Sequence, residues 1–162
     1  MKKNIFIENI NGNITSRPPV WFMRQAGRIL PSYLKLKQTY SFDEMMQNKE
    51  LAAKVTLLPL DDLGVDAGIL FSDILVIPKA LGLKLEFTAK GPKFHNALDE
   101  NINIENLKFN PQKLDYIYNN IREIKFQRPE TPLIGFCGGP LTTFLFMFRR
   151  NELNKDFNHV IK

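Results

Sequence analysis

Three short apolar runs, each ending abruptly in a polar or glycine-rich motif, constrain the fold of this chain more than any other feature. Residues 19–23 give way to Arg24-Gln25-Ala26-Gly27-Arg28, residues 65–71 stop at Ser72-Asp73, and residues 132–137 end in Gly138-Gly139-Pro140. Runs this short and this uniformly apolar read as strands buried on both faces. Between them the spacing turns helical. Over residues 42–60, Met45, Met46, Leu51, Ala52, Val55, Leu58 and Pro59 recur at mostly helical intervals, and Asp43 and Glu44 lie near the start, where the helix dipole favours acids. Pro111 opens a second helical pattern through Leu114, Ile117, Ile121 and Ile124, since proline is tolerated at a helix start. Residues 141–150 suit a packed helix. Residues 81–87 read as a short extended segment before Gly91-Pro92, and residues 88–110 as a polar, Asn-rich loop.

Strands alternating with helices predict parallel α/β construction with right-handed crossovers. A doubly wound sheet and a closed barrel both satisfy that order. In either, ligands collect at the carboxyl ends of the strands, which predicts that the Arg24–Arg28 motif, Asp73 and the Gly138-Gly139-Pro140 turn share one rim. The glycine pair lacks both the dinucleotide fingerprint and the P-loop lysine, so it predicts no phosphate cradle.

Composition narrows the partners. The 162 residues are 44% hydrophobic and 24% charged, which is globular, and residues 1–162 read as part of one domain. Lys and Arg outnumber Asp and Glu by 22 to 17, a net charge of +5 without a polybasic block, which favours acidic ligands and argues against nucleic acid. Cys137 is the sole cysteine, which excludes an internal disulfide and a thiol-rich zinc site and fits a reducing, cytoplasmic setting. Lys2 and Lys3 are followed by Glu8, Asn9, Asn11, Gly12, Asn13, Arg17 and two prolines, so no signal-peptide apolar region is expected. No apolar run approaches membrane-spanning length, so no membrane partner is expected either.

Arg24 and Arg28 carry permanently charged planar donors suited to a carboxylate or phosphate. The plainer reading is surface pairing with nearby acids, and Gly27 beside a strand end weighs against it. Asp73 at a strand end serves either as a cap or as a site residue. His95 and His159 have no companion ligands and read as solvent-exposed; Cys137, with no adjacent cation, reads as a buried structural thiol. Phe144, Phe146 and Phe148 read as core packing.

The stretches RPPVWFMRQAGRILPSYLKLK, LFSDILVIPKALGLKLEF and LIGFCGGPLTTFLFM, in this order and spacing, resemble the uroporphyrinogen decarboxylase family from about Arg17 to the last residue. The resemblance implies a TIM (β/α)8 barrel with its site at the carboxyl ends of the strands, of which this chain supplies about the first half. It implies no cofactor, no metal and a homodimer when complete. Family members convert four acetate side chains of uroporphyrinogen III to methyl groups, releasing carbon dioxide and giving coproporphyrinogen III for haem and porphyrin biosynthesis. Carried over onto this sequence, Asp73 accepts hydrogen bonds from the pyrrole NH groups and favours a cationic intermediate. Arg24 and Arg28 bind substrate carboxylates, and one of them takes part in proton delivery, the motif not distinguishing which. Gln25, Ala26 and Gly27 between them complete the substrate-binding set and allow close approach.

The sequence also departs from the family. A complete barrel needs roughly 250 residues, so 162 predicts an open half with an unpaired edge that depends on a complementing carboxyl-terminal half. The family's later serine and histidine fall beyond Lys162. Phe146 stands where the family has a tyrosine, Leu141 where it has a tryptophan, and Ile29 where it has a tyrosine, which keeps packing volume while removing polar contacts. Two alternatives follow: a non-catalytic remnant or interaction module, and a barrel of the cobalamin-dependent methyltransferase type. The intact RQAGR and FSD motifs, and the lack of a Cys and His cluster, argue against the second.

Overall fold

The computed structural model describes residues 4–27, 29–88, 91–98 and 104–148. Its elements in chain order are α1 (Ile5–Ile10), α2 (Pro31–Thr39), α3 (Phe42–Gln47), α4 (Lys49–Leu63), β1 (Gly68–Ile69), α5 (Val76–Ala80), β2 (Leu85–Thr88), β3 (Gly91–Phe94), α6 (Asp115–Gln127), β4 (Leu133–Ile134) and α7 (Pro140–Met147). They fall into two compact units, Met1–Ser72 with Tyr116–Phe136, and Asp73–Asp115 with Cys137–Lys162.

In the first unit, β1 and β4 pair in parallel with Gly68 opposite Leu133 and Ile69 opposite Ile134. The expected second and third strands therefore exist, each shortened to two ladder residues. The helix expected over residues 42–60 is two helices. Ser41 and Glu44 close a capping box on α3, and Asn48 ends α3 and caps α4 by accepting from the Leu51 N–H at 2.9 Å. An amide side chain that competes with the backbone breaks the run there. Gly64, at φ +65°, ends α4 in the left-handed region. Ala53, Leu57, Leu70 and Ile124 form a core against Leu60, Ile117, Ile121 and Leu133, which packs α4 and α6 on the parallel pair. A second cluster of Leu30, Tyr33, Met45 and Val55 takes in Ala26 and Phe71, whose ring meets those of Tyr33 and Phe42 edge-on at 6.1 and 5.0 Å. Each fully buried side chain of this kind stabilises by about 1.5–3 kcal/mol.

Residues 19–23 do not form the expected strand. The Val20 C=O accepts from the Asp66 N–H at 2.8 Å, but the Val20 N–H donates to the Asp66 carboxylate at 2.6 Å rather than to a backbone carbonyl. A side chain occupies the place of the second ladder bond.

In the second unit, β2 and β3 form an antiparallel hairpin with Leu85 opposite Phe94 and Thr88 opposite Gly91. The polar stretch 88–110 thus contains a strand and a 3₁₀ turn, Ile104–Asn106, that its composition conceals. Leu75, Leu83, Phe94, Ala97, Leu98 and Met147 make the core of this unit. Asn110 caps the 3₁₀ turn Pro111–Leu114, and its N–H donates to the Ala80 C=O at 2.9 Å. Cys137 is exposed, not buried as expected: β4 ends at Ile134, so the apolar run continues past the ladder that would have covered it. Among the described residues no helix is long and apolar enough to cross a membrane.

Candidate functional site

The turn between residues 22 and 27 is built to expose Arg24. Gln25 N–H donates to the Phe22 C=O at 3.0 Å and Gly27 N–H to the Arg24 C=O at 2.7 Å, and Arg24 itself adopts φ +58°. A non-glycine residue in that region is uncommon and carries strain, so the surroundings must hold it. A Cβ on Gly27 would run into the Arg24 carbonyl oxygen and lie 3.2 Å from the Arg24 Cβ. Only glycine closes this turn without displacing backbone. Arg24 is exposed, and no hydrogen bond or ion pair to a described residue engages its guanidinium. Arg28 lies outside the described residues.

Gln25 is buried, with 4% of its surface exposed. Its Nε2 donates to the Ala67 C=O at 2.9 Å and its Oε1 accepts from the Phe22 N–H at 3.1 Å, so both ends of the amide serve the protein. Ala26 packs against the Tyr33–Met45 cluster. Two residues that sequence reading overlooked complete the arrangement. Arg17 grips Asp66 in a bidentate pair, Nη1 to Oδ2 and Nη2 to Oδ1, both at 2.7 Å. The hydrogen bonds from Arg17 and then the Val20 N–H, outweighing desolvation, hold the Asp66 carboxyl below the usual carboxylate range. Arg17 opens the first of the family-like stretches without being marked there as a partner of Asp66, and Asp66 lies outside all three.

Because β1 and β4 are parallel, both end at the same side of the ladder, and residues 70–73 and 135–138 leave from there. In the second unit Asp73 is half-buried, and its Oδ1 accepts from the Leu75 N–H at 2.7 Å, just before α5. Burial pushes its carboxyl above the ordinary value, while the Leu75 and Ile74 N–H groups and the Lys79 ammonium pull it back. Gly138 sits against the same segment: an added Cβ would meet the Thr143 Oγ1 and come 2.9 Å from the Ile74 carbonyl oxygen. Two of the three expected motifs, Asp73 and Gly138, are thus brought together in one unit, and the Arg24 turn belongs to the other.

Ile29, Leu141 and Phe146 are 80%, 65% and 42% exposed, so these departures from the family pattern lie on the surface rather than filling a core. Phe144 and Phe148 do pack on each other at 4.7 Å. His95 is exposed and its Nε2 lies 2.7 Å from the Glu86 carboxylate across the hairpin; His159 lies outside the described residues. Among the described residues no three His, Cys, Asp or Glu side chains are gathered to hold a metal ion.

The sequence matches the uroporphyrinogen decarboxylase (URO-D) family over residues 1–162. The uroporphyrinogen decarboxylase of Hydrogenobaculum sp. is 42% identical over 161 residues, covering 97% of this chain and 45% of the relative. That of Helicobacter pylori is 46% identical over 147 residues, covering 88% and 43%. The chain spans about half the length of the curated relatives it matches. Among solved structures, a methyltransferase from Methanosarcina mazei superposes with a TM-score of 0.66 over 91% of this chain and 45% of its own, at 20% identity, a likeness of fold.

Proposed function

The chain belongs to the uroporphyrinogen decarboxylase family, and from that premise we propose that it is the amino-terminal half of a (β/α)8-barrel decarboxylase acting on uroporphyrinogen. Residues 1–162 then form part of one barrel domain. A complementing carboxyl-terminal half closes the barrel, the complete protein works as a cytoplasmic homodimer, and neither nucleic acid nor a membrane is its partner. The observation that carries this reading is the Arg24 turn, which holds at the surface a guanidinium that no described residue engages, in a conformation that costs energy to maintain.

The chemistry follows from the charges. Each turnover converts a –CH2–COO⁻ group and one proton to –CH3 and carbon dioxide. The electrons of the breaking carbon–carbon bond need a sink, which a protonated pyrrole ring supplies; the methylene carbon is then protonated and the ring releases the proton it took up. Arg24 and Arg28 bind the substrate carboxylates as charge-assisted donors, with the backbone of Gln25, Ala26 and Gly27 between them, and one of the arginines aids proton delivery. Asp73 accepts from the pyrrole NH groups. Burial raises its proton affinity in the free protein, and a ring that becomes cationic lowers it again, so the attraction grows as the reaction proceeds. No cofactor enters the scheme.

The test is coproporphyrinogen formation by the chain alone and mixed with the separately produced carboxyl-terminal half of a relative. Product in the mixture supports the proposal, and Asp73→Asn then lowers the rate sharply with folding intact. The departures from the family pattern at Ile29, Leu141 and Phe146 favour a second reading, a non-catalytic remnant or interaction module. Absence of product in both samples selects that reading.

A further inference from the structure

Arg24 in its left-handed conformation needs an anchor on each side of it, and the structure contains two. On the amino-terminal side, Asp66 takes three hydrogen bonds through its carboxylate, two from Arg17 at 2.7 Å and one from the Val20 N–H at 2.6 Å, while its own N–H donates to the Val20 C=O. On the carboxyl-terminal side, the buried Gln25 amide ties the Phe22 N–H to the Ala67 C=O. Asp66 and Ala67 are adjacent and lead directly into β1, so both anchors fasten the Arg24 segment to the start of the same strand.

We propose that Asp66 and Gln25 are positioning residues, a two-point clasp that holds the Arg24 turn in its strained form and fixes the backbone from which its guanidinium reaches a carboxylate. This assignment of roles rests on the decarboxylase reading, whereas the clasp itself does not. The two points differ in kind. Arg17 neutralises the Asp66 charge, so Asp66 can sit beside the turn as an anchor without competing for Arg24. Gln25 achieves the same fastening with no charge at all, which suits a group that is almost completely buried. Binding then loses little entropy in ordering the turn, because folding has ordered it already.

Amide hydrogen exchange on the full chain separates the clasp from the activity. Asp66→Asn and Gln25→Leu should each speed exchange at Gln25 and Gly27 by about tenfold, the scale set by losing a hydrogen bond to a charged or buried group. Exchange at Val55 and Ala53 within α4 stays unchanged and certifies the fold. Arg17→Ala, at a half-exposed position that does not threaten the core, should give the same pattern, and adding it to Asp66→Asn should change nothing further. Unchanged exchange at Gln25 and Gly27 in Gln25→Leu and Arg17→Ala overturns the clasp. In the reconstituted decarboxylase, the clasp variants should raise KM by about tenfold with kcat less affected, the signature of a lost binding orientation, and Asp66→Glu should recover part of it. An unaltered KM with faster exchange refutes the positioning role alone. Inactivity of the parent mixture refutes the decarboxylase reading, and the exchange data then decide the clasp.

Discussion

Gly27→Ala puts the Arg24 turn under a defined load. The added Cβ would meet the Arg24 carbonyl oxygen, the acceptor of the Gly27 N–H, and lie 3.2 and 3.4 Å from the Arg24 Cβ and carbonyl carbon. Three of the crowded atoms are in or next to backbone, so no rotamer change relieves the overlap. Forcing extra atoms into such a contact costs about 1–3 kcal/mol. Against this, alanine restricts the unfolded chain and returns about 0.4–1 kcal/mol. A net loss of up to about 2.6 kcal/mol remains, and in a chain of this size that is up to roughly 10 °C in Tm. Gly135→Ala is the matched control. Its Cβ would meet nothing within 4 Å, and its φ lies outside the left-handed region, so alanine there should be neutral or stabilising by about 0.4–1 kcal/mol. Thermal unfolding followed by circular dichroism on the parent and both variants reads the difference. If Gly27→Ala melts above the parent, by as much as Gly135→Ala does, the turn does not require glycine and the geometry assigned to Arg24 is wrong.

Further expectations bear on charge and capping. Burial raises the Asp73 carboxyl, so folding favours its protonated form, and the charged form weakens the fold above the raised value. Asp73→Asn should therefore raise Tm at pH 7 and lose that advantage below the ordinary carboxylate range; a lower Tm at pH 7 would contradict the assigned cause. Asp66 is shifted the other way, so its contribution is present above its unfolded value and disappears as pH falls through the depressed folded value. Arg17→Ala should then lower Tm near neutrality and have no effect in strong acid, measured by melting across a pH series. Ser41→Ala removes one side of the α3 capping box and should cost about 1 kcal/mol, read as a lower urea midpoint at unchanged slope.

Part of the parallel α/β plan could be read from the chain because short apolar runs mark it: residues 65–71, apolar but for Asp66, and the apolar residues 132–137 contain β1 and β4. The shortening of both strands was not legible, since it depends on which neighbours pair. Residues 19–23 carry the same mark but end in a hydrogen bond to the Asp66 side chain, a tertiary event that no local pattern announces. The extended reading of residues 81–87 marks β2, whereas β3 escaped notice because Pro92 and Lys93 face solvent. At the candidate site, the residue types of Arg24, Gly27 and Asp73 were plain, while the roles of Arg17, Asp66 and the buried Gln25 amide emerged only from distances.

The proposed function requires the Arg24 turn of this chain to bind substrate carboxylates once a carboxyl-terminal half is supplied. Titrating the carboxyl-terminal half of the Hydrogenobaculum relative into a fixed amount of the chain, with uroporphyrinogen present, measures this directly. Coproporphyrinogen formation should rise with added half and level off near equimolar amounts, and Arg24→Ala should flatten the curve. A rate that stays at the background of the added half alone at every ratio would contradict it.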